Sequence, residues 1–197
     1  SRDAGENLRK GLGWTDSTVV LSTRAWEPLY GIEVTLNAFV LAYQQNPSLR
    51  LLLLGAGSLD EWVRNFLGVN RLEGVVHAPG LLPESEAAKY FFAADIYVSA
   101  AHSDGTSISL LEAMDAGLVV IATDIPSNRE WIEVGVNGFL ATDSDPEDFA
   151  VSLVTASTLD PQLRGTFATR NQDVIATRAN WERNFDGLVK AFEEGVG

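Results

Sequence analysis

Between Ile96 and Asp124 the chain reads IYVSAAHSDGTSISLLEAMDAGLVVIATD, two short apolar runs separated by a polar loop and a helical segment. Ile96, Tyr97 and Val98 form one run and Leu118 to Ala122 the other, both rich in strand formers. Ser107 to Ala116 has helical character, with Ile108, Leu111 and Ala116 available for a buried face and Gly117 placed to end it. So short a connection admits only a compact β–loop–α–β crossover, which makes the two strands parallel. The loop from His102 to Ser107 then falls at the carboxyl edge of the strands, where such sheets bind ligands, and Glu112 follows on the helix. A purely structural reading competes with this one: Asp104 and Thr106 as helix caps, and Glu112 as a solvated helix residue.

The rest of the chain alternates in the same way. Strands are expected at Thr18–Thr23, Leu49–Leu54, Gly74–His77 and Gly138–Ala141. Helices are expected from Gly31 to Gln44, Leu59 to Leu67 and Pro83 to Ala93, with a short one around Glu130 to Val134. Asp145 and Pro146 are placed to cap a helix running to about Thr155. Beyond Pro161 the chain reads as helical, and Trp181, Phe185, Leu188, Val189 and Phe192 recur at helical spacing near its end. Ser1 to Asp16 reads as a ragged lead-in with a helical turn around Leu8 and Lys10. The fold class this implies is α/β, a doubly wound Rossmann-like parallel sheet of about six strands. The aromatics Tyr90, Phe91 and Phe92 read as core.

Composition narrows the function classes. With 197 residues, 46% of them apolar, the chain is long enough for one sizeable domain. It has no cysteine and two well-separated histidines, His77 and His102, so neither thiolate chemistry nor a dedicated zinc site is expected. A formal charge of −13 disfavours nucleic acid as a partner, because a phosphate backbone is held mainly by Lys and Arg. The sequence has no apolar stretch approaching a membrane span and SRDAGENLRKG has no signal-peptide core, so the cytoplasm is the expected location. Gly55-Ala56-Gly57 after the second strand lacks the third glycine and the ribose acid of a dinucleotide fingerprint, which counts against a nicotinamide dehydrogenase.

The stretch from Asp104 to Glu112, continued by Ala113-Met114-Asp115-Ala116-Gly117 and Val119-Val120-Ile121-Ala122-Thr123, resembles the signature of retaining glycosyltransferases of the GT-B fold, in the family called GT4. That signature is an acidic residue, seven intervening residues and a Glu, then a small-residue helix, a Gly and a strand. The family usually has Glu followed by Gly-Phe-Gly, where this chain has Asp104 and Gly105-Thr106-Ser107. It also has an Arg after the first strand and a Lys-Gly closing the next loop; Arg24 and Gly31 match, but Tyr30 stands where the lysine would. Glu130 matches a further family Glu. The resemblance covers essentially the whole chain.

The resemblance implies the carboxyl-terminal, nucleotide-sugar-binding domain of a hexosyltransferase. It implies a lead-in over 1–16 from an N-terminal acceptor domain not included here, the donor domain over 17–180, and a crossing helix over 181–197. A nucleoside diphosphate sugar such as a UDP- or GDP-sugar is the expected partner, with no metal or other cofactor. Catalytic roles fall on Arg24, Asp104 and Glu112. Donor contacts fall on Gly55, on the base-facing segment Gly80, Leu81 and Leu82, on Ser107 and Ile108 at the helix start, and on Glu112 for the ribose. The isolated chain is expected to be inactive or weak in transfer, and membrane contact is expected only of the full-length enzyme. Two readings stand beside this one, a non-catalytic protein-interaction domain and half of a sugar-nucleotide 2-epimerase.

Overall fold

A computed structural model describes residues 1–179. In chain order its elements are α1 (Arg2–Leu12), β1 (Thr18–Ser22), a 3-10 turn (Pro28–Tyr30), α2 (Ile32–Gln45), β2 (Leu49–Leu54), α3 (Asp60–Val69), β3 (Val76–Gly80) and α4 (Glu84–Ala93). There follow β4 (Ile96–Ser99), α5 (Ile108–Asp115), β5 (Val119–Thr123), α6 (Pro126–Arg129), β6 (Gly138–Ala141), α7 (Pro146–Ser157) and α8 (Pro161–Arg178). The terminal helix expected over 181–197, with its apolar stripe, lies outside the described residues.

The six strands form one sheet in the order β3-β2-β1-β4-β5-β6, with every neighbouring pair parallel. The order runs outward from β1 in both directions, so the chain reverses between β1 and β4 and leaves a crevice at their carboxyl ends. Alternate residues of each strand feed opposite layers. Val20, Leu51, Leu53, Val98 and Ile121 pack with Leu36, Phe39 and Phe149 from α2 and α7. On the other face, Val19, Leu21, Leu52, Tyr97 and Val120 pack with Phe91, Leu110 and Met114 from α4 and α5. Helix α8 contributes to both layers, Phe167 to the first and Val174 to the second. Among the described residues no helix is long and apolar enough to cross a membrane.

Several local expectations are corrected. The lead-in is an 11-residue helix, not a ragged segment. Gly5 lets α1 lie directly on the backbone of α4, where an added Cβ would stand 2.5 Å from Phe92 C. Arg9 then reaches Asp95 at 2.5 Å and the Ala93 carbonyl at 2.6 Å. Strand β3 runs from Val76 to Gly80, displaced toward the carboxyl edge from the expected Gly74–His77, because Gly74 adopts a positive φ and turns the chain before it. The short helix after β5 is Pro126–Arg129 and not Glu130–Val134, since Pro126 supplies its first position. The capping of α7 is as expected, with Asp145 accepting from the Glu147 and Asp148 amides.

Candidate functional site

The loops at the carboxyl edge converge on the β1–β4 crevice. Arg24 follows β1, and its side chain is 12% exposed. Its Nη1 donates to Ser107 Oγ at 2.8 Å and lies 3.5 Å from Ser109 Oγ. Its Nη2 stands 2.7 Å from Asp104 Oδ2. That contact is an ion pair and not a directed hydrogen bond, for Asp104 Oδ2 makes no hydrogen bond of good geometry. The Tyr30 ring covers the guanidinium, with 4.3 Å between Arg24 Cζ and the ring centroid. Arg24 Nε is buried without a hydrogen-bond partner.

Helix α5 begins immediately beside this cluster. Ser107 is its N-cap and accepts from the Leu110 amide at 3.4 Å, so neither Asp104 nor Thr106 is the cap. The buried face is Leu110, Ala113 and Met114, at i, i+3 and i+4. Ile108 is correspondingly not core: it is 74% exposed at the first helical position. Ser109 accepts from the Tyr97 hydroxyl at 3.0 Å, which fixes it beside Arg24. The first-turn amides of such a helix have no intrahelical acceptors and carry the positive end of its dipole.

Between α4 and α5 lies a cavity of about 690 Å³. Gly55, Leu81, Leu82 and Glu112 line it, as do Thr23, Ser109, Phe91 and Phe92. The α4 side is largely apolar, whereas α5 presents Ser109 and the exposed Glu112. Gly80 ends β3, and its carbonyl accepts from the Gly55 amide at 3.1 Å, joining the floor to the segment before α4. Gly55 has φ 134, and a Cβ there would stand 2.5 Å from the Arg24 carbonyl oxygen. Two further amides of the glycine-rich turn are already engaged. Gly57 N donates to Asp60 Oδ1 at 3.0 Å and Ser58 N to Glu27 Oε1 at 2.8 Å. Hydrogen bonds from the Ser58 hydroxyl and amide hold the Glu27 carboxyl below its usual range.

The residues singled out from sequence therefore fall into two adjoining groups. Arg24, Asp104 and Ser107 form one bonded cluster; Gly55, Leu81, Leu82 and Glu112 line the cavity that Ser109 connects to it. Gly80 supports that cavity through Gly55, and Ile108 lies at the helix start. Glu130 borders a separate pocket with Arg129, Trp131 and Arg178. Sequence reading missed the lining by Thr23 and Ser109, for which no pattern calls, and assigned Phe92 to the core, although it is half-exposed. On the far rim, His102 Nδ1 meets Asp143 Oδ1 at 2.5 Å, and that hydrogen bond holds the Asp143 carboxyl low. Among the described residues no group of three His, Asp or Glu side chains is placed to hold a metal ion.

Comparison with known proteins adds the family dimension. Residues 16–158 match the family model described as glycosyl transferases group 1. The amylovoran biosynthesis glycosyltransferase AmsK of Erwinia amylovora is 28% identical over 173 residues, 85% of this chain and 41% of that protein. The crystal structure of Anabaena HepE in complex with UDP-glucose superposes with a TM-score of 0.85 at 22% identity, over 98% of this chain and 53% of that one. The C-terminal domain of LpcC, a group 1 family protein from Francisella tularensis, superposes with a TM-score of 0.74 at 22% identity. It is covered over 87% of its length by 83% of this chain. Those structural likenesses establish the fold, and this chain spans less than half the length of AmsK.

Proposed function

This chain belongs to the group 1 glycosyl transferases, and we propose that it is the donor-binding half of such an enzyme, holding a nucleoside diphosphate sugar for retaining transfer. The observation that carries the reading is one juxtaposition. A cavity with an apolar wall and a carboxylate, Glu112, opens beside the bonded cluster of Arg24, Asp104 and Ser107 at a helix start. A nucleoside diphosphate has the matching sequence of parts: a flat base, a diol and a dianionic tail.

In this arrangement the base lies against Leu81 and Leu82, with Gly80 and Gly55 keeping the floor open. Glu112 accepts hydrogen bonds from both ribose hydroxyls, for which a carboxylate has paired acceptors. The diphosphate meets the first-turn amides at Ser107 and Ile108 together with Arg24, so that little side-chain charge is needed. As the bond from the anomeric carbon to the diphosphate breaks, Arg24 stabilises the negative charge gathering on the leaving phosphate. Asp104 turns from Arg24 to hydroxyls of the sugar ring. The acceptor hydroxyl attacks from the face the nucleotide leaves, and its proton passes to the departing phosphate.

HepE in complex with UDP-glucose supports a uridine nucleotide as the first donor to test. The acceptor groups belong to the other half of the enzyme, so transfer by this chain alone is absent or near background. A cytoplasmic setting is part of the same proposal. Calorimetric titration with UDP, GDP and ADP, each with and without a linked sugar, tests it: one nucleotide is expected to bind at about 10 μM to 1 mM. Failure of all three to bind at millimolar concentration would remove the donor site.

A further inference from the structure

We propose that Tyr30 is a positioning residue for Arg24, its ring setting the plane in which the guanidinium meets the donor diphosphate; this rests on the donor-site reading above. Tyr30 is half-buried, yet among the described residues it packs into neither layer of the core. What places it is backbone. The 3-10 turn Pro28–Tyr30 is pinned where the His102 amide donates to the Leu29 carbonyl at 3.0 Å. Gly31 then follows with φ 62, so close to β4 that a Cβ would stand 1.9 Å from the Ala100 carbonyl oxygen. Together these contacts hold the phenol ring over the guanidinium at 4.3 Å.

The consequence for Arg24 is geometric. Its Nη1 is anchored on Ser107, its Nη2 faces Asp104, and one face lies on an aromatic ring. A planar fork fixed on one face and at Nη1 presents its remaining donors, Nη2 among them, in a set direction, and Nε is a buried donor without a partner. A neutral ring gives this orientation through its quadrupole without adding a second positive charge. In this reading the attitude of Arg24 sharpens the anion recognition it shares with the first-turn amides.

The test uses paired ligands: UDP with uridine, GDP with guanosine, and ADP with adenosine. For the pair that binds, the ratio of the two affinities reports what the phosphates contribute. Tyr30→Leu is expected to weaken the diphosphate about 3- to 30-fold, the range of a cation–aromatic contact, and to leave the nucleoside unchanged. Tyr30→Phe keeps the ring and should retain wild-type affinity. With Arg24→Gln already present, Tyr30→Leu should have no further effect. Equal weakening of diphosphate and nucleoside, with a lowered Tm, would make Tyr30 a packing residue and overturn the inference. The same loss in both Arg24 backgrounds would overturn it too. Wild-type protein that binds diphosphate no better than nucleoside keeps the nucleoside cavity but ends this inference, whereas binding of no pair ends both.

Discussion

Asp104 Oδ2 stands 2.7 Å from Arg24 Nη2, so two groups proposed to hold different parts of one donor are bound to each other. A diphosphate must share Arg24 with that carboxylate or displace it. Replacing Asp104 by Asn removes the competing charge and leaves a side chain of the same shape. The Asp104→Asn variant should therefore bind the nucleoside diphosphate about 3- to 10-fold more tightly, roughly 0.7–1.4 kcal/mol. The gain should shrink when the sugar is attached, because Asp104 is then lost as its partner. Titration of the variant with nucleotide and nucleotide sugar reads both effects; weaker binding of the bare diphosphate would show that the pair holds Arg24 in place.

Glu112→Gln tests the ribose carboxylate. Loss of charge-assisted hydrogen bonding should weaken nucleotide binding by about 1–3 kcal/mol. Thermal stability should change little, since Glu112 is exposed on the cavity wall and outside both core layers. Unchanged nucleotide affinity in the variant removes Glu112 from the site.

Gly31 is a structural requirement of the same region. Its φ of 62 and the 1.9 Å approach of a Cβ to Ala100 O leave no room for alanine without displacing backbone on one side. Gly31→Ala should cost at least about 2 kcal/mol in denaturant unfolding. It should also weaken diphosphate binding, because it moves Tyr30. A variant as stable as wild type would mean that the turn relaxes freely.

His77 should give stability a pH dependence near neutrality. Burial holds its imidazole below the ordinary value, with Lys89 adding to the effect. Between that lowered value and about pH 6.5 the unfolded chain binds a proton that the folded chain does not. The contribution is whole above about pH 6.5 and declines as pH falls through the window. Asp143 and Asp124 are held low by hydrogen bonds from His102 and Arg129, and their contributions fade only below about pH 4. His77→Phe preserves a ring for the stack on Tyr90 and should flatten the fall of Tm as pH drops below about 6.5. An unaltered slope there would assign the dependence elsewhere.

The parallel sheet was legible because β1, β2, β4 and β5 are covered on both faces, which leaves nearly continuous apolar runs in the sequence. Strand β3 was placed too early for the opposite reason. It is a half-exposed edge strand reading Val-His-Ala-Pro-Gly, in which no alternation marks the register. Helix α1 was hidden because its docking depends on Gly5 against Phe92 and on Arg9 against Asp95, both of them contacts across the chain. At the site, the motif spacing brought Asp104, Ser107 and Glu112 to one edge, and the strand end brought Arg24. The stack of Tyr30 on Arg24 was not readable, since it depends on a turn folding back through Gly31 onto β4. From the sequence, Tyr30 registered only as a missing charge.

Helix α8 inserts Phe167 into one layer and Val174 into the other, and between them Asn171 Nδ2 donates to the carbonyls of Leu118 at 2.9 Å and Asn137 at 3.0 Å. Those carbonyls lie just before β5 and β6, so the edge strand cannot fray without releasing the helix that closes both layers. Slow amide exchange should therefore extend to the β6 hydrogen bonds, with opening energies close to those of its inner neighbour β5 and not to those of a free edge strand. In kinetic terms this side of the sheet opens in the same step as α8. The loops carrying Arg24 and Asp104 are then left to move against a frame whose two faces rise and fall together.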